Sequence, residues 1–234
     1  MTGQLALDLG PPPPPSFENF VPGANGEACD ALRRIAGGDR RDRFVYLWGT
    51  PGSGRSHLLQ AARRAAGGHG QVSRALCPLA ALDAFGFDPA VRLWTLDDCD
   101  GLDATRQQAG FHLFNAIQAN PRAALLAGGS APPAALPLSP ELRTRLGWGL
   151  VLQLQPLNDA ERAEALWRTV NERGLAASPD VIDYLLTHAR RDMGSLRATI
   201  DALDRFALQR KRALTLPLLR EFLQLQLAGD PGER

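Results

Sequence analysis

Apolar and polar positions divide the chain into two stretches of different character. In the first, short β-favouring runs alternate with helix-forming segments. Phe44-Val45-Tyr46-Leu47-Trp48 predicts a buried strand, and further strands are predicted near 72–77, 91–96, 123–127 and 150–154. Residues 27–36, 57–66 and 105–119 read as helices, the second stopped by Gly67-Gly68. The fourth strand is ended by Gly128-Gly129-Ser130, and a Pro-rich loop and short helix precede the fifth. Strands alternating with helices predict an α/β fold, a parallel sheet sandwiched by helices. After Gln155-Pro156-Leu157 only helical periodicity remains, over 159–173, 179–189, 192–210 and 216–227. Asn158 with Glu161 predicts a capping box, and Thr215 with Pro217 starts the last helix. The pattern therefore predicts an α/β domain over 16–156 and a small all-helical lid domain over 157–234. No internal repeat is visible.

The start of the chain has its own organisation. Residues 11–15 are five prolines, a stiff extended linker that sets the decapeptide 1–10 apart from the folded body. Within that decapeptide Leu5, Leu7 and Leu9 alternate after Gln4, so an extended chain carries all three leucines on one side. Two readings stand: a frayed tail, or a peptide that docks into an apolar groove.

Composition narrows the classes. The 234 residues suffice for one large domain or two smaller ones, and 44% hydrophobic with 22% charged residues excludes wholesale disorder. A net charge of +1 excludes a strongly basic chain that coats nucleic acid by charge alone. Lys211 is the only lysine, so any phosphate anchor elsewhere must be an arginine. Cys29, Cys77 and Cys99 are odd in number and widely spaced, which suggests neither disulfides nor a zinc site; small buried apolar residues are expected. His57, His69, His112 and His188 show no metal-ligand spacing. No basic start with a long apolar run and no stretch near the roughly 20 apolar residues of a membrane span is present. A reducing cytoplasm and no membrane partner are the expectation.

Three segments carry candidate chemistry. Gly49-Thr50-Pro51-Gly52-Ser53-Gly54-Arg55-Ser56 lies between a predicted strand and helix. Glycines let backbone N–H groups approach a phosphate, the helix N-terminus favours its charge, Arg55 supplies the cation and Ser56 a hydroxyl for Mg2+. A P-loop normally has lysine at this position. Arginine is a planar fork rather than a point charge, which suits binding a polyphosphate better than following charge at a γ-phosphate. The second segment is the apolar run ending in Asp97-Asp98, where one carboxylate could hold the metal and the next orient a water. The third is Glu141-Leu142-Arg143-Thr144-Arg145-Leu146-Gly147-Trp148-Gly149. Its two arginines are either solvated or, at a subunit edge, able to reach a neighbour's γ-phosphate as an arginine finger; spacing does not separate these readings.

Taken in order, these features resemble the AAA+ P-loop NTPase module of the bacterial replication initiator DnaA over about 16–227, with Arg145-Leu146-Gly147-Trp148-Gly149-Leu150 similar to its arginine-finger box. The segment Phe17-Glu18-Asn19-Phe20-Val21 is similar to the part of that module that lies by the adenine, which implies cofactor contacts for Phe20 and Val21. The resemblance places sensor I near Ser130 and sensor II at Gly194, where the family has an arginine; Arg197 is the neighbouring candidate. With Arg55 also unusual, weak intrinsic ATP turnover is expected. With the sequence ending after the lid, the helix-turn-helix domain that follows in DnaA is not expected here. Gln4-Leu5-Ala6-Leu7-Asp8-Leu9 resembles the peptides by which bacterial proteins dock on the β sliding clamp, and Gly54-Arg55-Ser56-His57 resembles the P-loop of the DnaA-related regulatory inactivators.

That resemblance implies a negative regulator of replication initiation. ADP, or ATP, with Mg2+ held by Ser56 and Asp97, would sit on residues 49–57. Gln4, Leu5, Leu7 and Leu9 would dock on the DNA-loaded clamp, so that DNA is met indirectly. Arg145, with Arg143 as runner-up, would reach ATP bound to DnaA and stimulate its hydrolysis through AAA+ to AAA+ contact, the arrangement that would also allow a homo-oligomer. Three other readings remain at this point: a self-sufficient AAA+ ATPase such as a helicase loader, a DNA-binding regulator, and a clamp-tethered adaptor with another target.

Overall fold

The computed structural model describes residues 14–172, 174–188 and 193–229, and these fall into two units, Pro14–Pro156 and a second from Leu157 onward. In the first unit the apolar runs become β1 (Phe44–Trp48), β2 (Val72–Leu76), β3 (Val91–Leu96), β4 (Ala124–Gly129) and β5 (Leu150–Gln153). They pair in parallel in the order β2-β3-β4-β1-β5. Strands covered on both faces need apolar side chains at successive positions, which is why β1 and β4 read as unbroken runs, and β3 as a run broken only by Arg92 and Thr95. The edge strand β5 instead alternates half-buried and exposed positions.

One face of the sheet is covered by α1 (Gly26–Ala36) and α2 (Arg55–Gly68), whose Leu32, Ile35, Leu58 and Leu59 pack over Val45, Leu47, Leu93 and Leu126. The other is covered by α3 (Ala104–Ala119) and α4 (Pro140–Leu146), whose Phe114, Ile117, Leu142 and Leu146 pack over Tyr46, Trp94 and Leu125. Asp103 and Ser139 cap the starts of α3 and α4 through their side chains. Arg43 places Nη1 on the carbonyls of Ile117, Asn120 and Ala123 at the far end of α3, where unpaired carbonyls favour a cation.

Three expectations are corrected. Gly67 and Gly68 do not stop α2, which runs through Gly68. Glycine costs a helix about 1 kcal/mol without breaking it, and the chain turns at Gly70, whose φ of 70° is left-handed. Gly128-Gly129 does not end β4: the pair belongs to the strand, opposite Leu47 and Trp48. These glycines provide room, since a Cβ on Gly129 would collide with the Tyr46 hydroxyl, which donates to Ala131 O at 2.7 Å. Of the three cysteines expected to be buried, Cys29 and Cys99 are, whereas Cys77 is exposed, because it follows the edge strand β2 where the chain leaves the sheet.

The second unit consists of α5 (Asp159–Glu172), α6 (Pro179–His188), α7 (Met193–Arg210) and α8 (Leu216–Gly229). Leu166, Val170, Ile182, Leu185, Leu196, Ile200, Leu203, Leu218 and Leu219 form its core. The capping box is present in both directions, Asn158 N–H to Glu161 Oε2 at 2.8 Å and Glu161 N–H to Asn158 Oδ1 at 2.9 Å. Among the described residues no helix is long and apolar enough to cross a membrane.

Candidate functional site

The loop 49–54 leaves β1 at its C-terminal end and delivers the chain into α2. Gly52 and Gly54 take φ of 84° and 96°, conformations that a side chain resists. Two glycines also serve close approach. A Cβ on Gly49 would lie 2.6 Å from Leu154 O and 2.8 Å from Ser53 Oγ, and one on Gly54 would lie 2.6 Å from Phe20 Cε2. Gly54, the residue before α2, offers no side-chain cap. The first N–H groups of any helix lack intrahelical partners, so the start of α2 has the form of an anion-binding terminus.

Two buried polar atoms beside this terminus have no protein partner, Ser53 Oγ and Arg55 Nη1. Arg55 is only 11% exposed, and its Nη2 lies 3.7 Å from Asp98 Oδ1. A buried guanidinium with one unpartnered nitrogen costs free energy unless an anion arrives. The predicted phosphate cation therefore faces both the loop and the acidic end of β3.

That acidic end is shaped by backbone. Asp97 follows β3 and receives the Asp98 N–H on Oδ1 at 3.0 Å. Gly128, on the neighbouring β4, leaves room for it: a Cβ there would lie 3.3 Å from Asp97 Oδ1 and 3.2 Å from Leu59 of α2. Asp98 is left-handed at φ 48° and ψ 46°, a strained choice for a residue other than glycine. Its carboxyl is shifted upward, first by partial desolvation and then by Asp97 and Asp100, against the pull of Arg55. Ser130 sits just past β4 and gives both its N–H and its hydroxyl to Asp100, at 3.2 and 3.0 Å. Asp100 as the holder of Ser130 was not legible in the sequence.

The segment ahead of α1 closes the loop from the other side. Phe17 is buried in the core under α1, and Phe20 and Val21 are half-buried. Phe20 packs on Gly54 and lies 5.2 Å, ring to ring, from His57, whose Nε2 is 2.9 Å from Ser16 O. Asn25 is a further residue that sequence reasoning missed. It is buried, donates Nδ2 to Gln155 O at 2.8 Å and receives Gln155 N–H on Oδ1 at 2.7 Å. It thus ties the start of the chain to the segment after β5. An asparagine between Ala24 and Gly26 reads as a turn residue, which concealed this role.

The structure separates the two arginines of the third segment. Both are half-buried on α4. Arg143 donates Nη1 to Ala134 O at 3.2 Å beside a cavity of about 530 Å³ lined by Pro132, Pro133, Pro140 and Val151. Arg145 donates Nε to Asn115 Oδ1 at 2.9 Å and stacks 3.8 Å above the Trp148 ring, which is 51% exposed, with Phe111 at 5.4 Å. Cation–π contact fixes the guanidinium plane while leaving its terminal nitrogens available. In the second unit Gly194 is exposed in the first turn of α7 and Arg197 is half-buried one turn on. Gln4, Leu5, Leu7 and Leu9 lie outside the described residues. Among the described residues no cluster of three or more His, Cys, Asp or Glu could hold a metal; Ser56 and Asp97 are too few to count as one.

A P-loop on this parallel sheet, with acids ending β3 and a helical lid following, defines the AAA+ class. The fold is that of domain III of the Thermotoga maritima replication initiation protein DnaA, with a TM-score of 0.78 at 20% identity over 92% of this chain and 98% of that one. AMPPCP-bound DnaA from Aquifex aeolicus matches with a TM-score of 0.70 at 21% identity, over 85% of this chain and 67% of that one. The Thermotoga maritima RuvB Holliday junction branch migration motor matches with 0.69 at 15%, over 91% and 72%. Residues 159–223 match the family model described as "Hda, lid domain". The lid is thus similar to that of Hda, and the chain has the fold of DnaA domain III.

Proposed function

We propose that this chain is a DnaA-related replication regulator that binds a nucleotide on residues 49–57 and lowers the ATP-bound fraction of DnaA. The observation that carries the reading is the Hda lid match over residues 159–223 on a body with the DnaA domain III fold. The site suits a nucleotide. Gly49 and Gly54 are cradle positions that a Cβ would fill, α2 begins without a side-chain cap, and Ser53 Oγ and Arg55 Nη1 are buried donors in want of an acceptor. AMPPCP is the nucleotide found on the Aquifex DnaA relative. In this chain the ligand would be ADP; Ser56 and Asp97 would hold its Mg2+, and Phe20 and Val21 would receive the base. When bound, the metal neutralises phosphate charge. Ser130 is assigned to that nucleotide as its sensor I position, and Gly194 is the sensor II position that the resemblance implies for the lid.

Arg55 leans toward Asp98, so the protein's own turnover is slow and it works in trans. The decapeptide docks Leu5, Leu7 and Leu9 on the DNA-loaded β sliding clamp with Gln4 as polar anchor. Arg145, preset by Asn115 and Trp148, meets ATP bound to DnaA in a head-to-tail AAA+ pair. An arginine supplied in trans is worth roughly 10³–10⁵ in rate in GTPase systems. Arg143 is committed to Ala134 O and takes the lesser role. The test loads DnaA with labelled ATP, adds clamp on DNA and this protein with ADP, and follows conversion of the label. Conversion that needs the clamp and fails in both Gln4→Ala and Arg145→Ala supports the reading. Label that stays ATP while the protein binds the clamp points to an adaptor with another target. Robust ATP hydrolysis by the protein alone points to a self-sufficient ATPase.

A further inference from the structure

Two non-glycine residues among those described have a left-handed backbone, Asp98 in the candidate site and Lys211 in the lid. Lys211 follows the C-terminus of α7 in a Schellman turn: its N–H bonds to Leu208 O at 3.1 Å and the Arg212 N–H to Ala207 O at 3.0 Å. Glycine fills this position at least cost. Here it carries the only lysine of the chain, at φ 52°. A strained backbone kept at a specific side chain is grounds to look for function.

The surroundings are strongly basic. Residues 205–220 contain Arg205, Arg210, Lys211, Arg212 and Arg220 and no carboxylate, in a chain whose total charge is +1. Arg205, Arg210, Lys211 and Arg212 are all exposed. The carboxylate facing them from α8 is Glu221, which pairs with both Arg210 at 2.5 Å and Arg212 at 3.0 Å, so it offsets one charge of the four. Earlier on α7, Asp204 is buried and Asp201 half-buried. Arg220 is turned to the Tyr184 ring, 5.4 Å away, and stands apart.

We propose that this end of the lid, Arg205 on α7 with Arg210, Lys211 and Arg212 at the α7–α8 turn, is a sequence-independent binding surface for the phosphate backbone of duplex DNA. Protein interfaces have apolar and aromatic anchors at their centres and, although arginine is enriched in them, are depleted of lysine and of charge in their cores. The α7 end offers Leu208 as its exposed large apolar side chain, amid charge. Phosphates are taken by such a surface without matched pockets, through release of condensed counterions. The surface lies wholly in the lid and requires nothing of the P-loop or the arginine box, so it stands or falls separately from the proposed function.

The test is fluorescence anisotropy of a labelled 20-bp duplex with the full chain. Three to four phosphate contacts give a log–log salt slope of about −3 and a loss of about 40- to 150-fold in affinity between 50 and 200 mM salt. R205Q/K211Q, which keeps both ion pairs to Glu221, lowers the slope by about 2 and weakens binding at 50 mM salt about tenfold or more. R205K/K211R keeps the charge and restores binding. Circular dichroism melts show that the variants fold, and either single variant replaces the double if it does not. Equal binding by wild type and R205Q/K211Q overturns the proposal, as does a wild type that leaves the duplex free at 50 mM salt. Displacement of the duplex by polyglutamate at equal charge concentration also overturns it, in favour of an acidic protein partner.

Discussion

The Asn25 to Gln155 pairing is the contact most open to a quantitative test. Asn25 is 4% exposed and makes hydrogen bonds of 2.8 and 2.7 Å to the backbone C=O and N–H of one residue, Gln155, 130 positions away. Asn25→Ala removes both. Each intramolecular hydrogen bond contributes about 0.5–1.5 kcal/mol net, with more lost where a partner is left buried. The sum is about 2 kcal/mol for the α/β unit, which for a body of this size lowers Tm by about 4–8 °C. Asn25→Asp is the sharper variant. Its carboxylate still accepts from Gln155 N–H but sets a second anionic oxygen against Gln155 O. Ionisation is therefore disfavoured in the folded state, and the folded pKa rises above the unfolded value of about 3.9. A raised folded pKa means the stabilising, protonated form is intact below the unfolded pKa and is lost as pH rises through the folded one. Asn25→Asp should thus approach wild type near pH 4 and fall toward Asn25→Ala by pH 7. Urea unfolding followed by far-UV circular dichroism at both pH values measures it. An alanine variant within 0.5 kcal/mol of wild type, or an aspartate variant with the pH dependence of wild type, refutes the assignment.

Three further outcomes are expected. Gly54→Ala combines a left-handed φ of 96° with a Cβ 2.6 Å from Phe20; isothermal titration with ADP should show affinity lost while α2, seen by circular dichroism, persists, and unaltered affinity counts against residues 49–57 as the nucleotide site. A thiol reagent at pH 8 should modify one cysteine of the native protein, the exposed Cys77, and three after denaturation. Burial raises the Cys29 thiol and pushes Cys99 up to about 12, so both stay protonated at that pH; three fast equivalents in the native state would contradict the core described. Lys211→Gly should stabilise the lid by about 0.5–1 kcal/mol through relief of the left-handed turn while weakening duplex binding, and a destabilised lid in thermal melts would contradict the Schellman geometry.

Much of this protein is written in local sequence, for a definite reason. Buried parallel strands and amphipathic helices leave periodic signatures, so β1, β3 and the lid helices are legible from apolar spacing alone. The P-loop is legible because its chemistry needs glycines, a cation and a hydroxyl within a few consecutive residues. The Asn158–Glu161 capping box is likewise a contact between near neighbours in sequence. Tertiary structure decided what depends on distant partners. Gly128-Gly129 reads as the end of a strand, and only the Tyr46 hydroxyl behind Gly129 shows why glycine is needed inside one. Arg143 and Arg145 are equivalent by spacing; Asn115 on α3 and Trp148 beyond α4 distinguish them. Asn25 is a turn former in sequence and a bracket in space, because the peptide it holds lies 130 residues away. Lys211 lies in a basic run visible in the sequence, and only the left-handed backbone under it marks the place. Periodicity reports which face of an element is buried; which side chain meets which is fixed only when the elements pack.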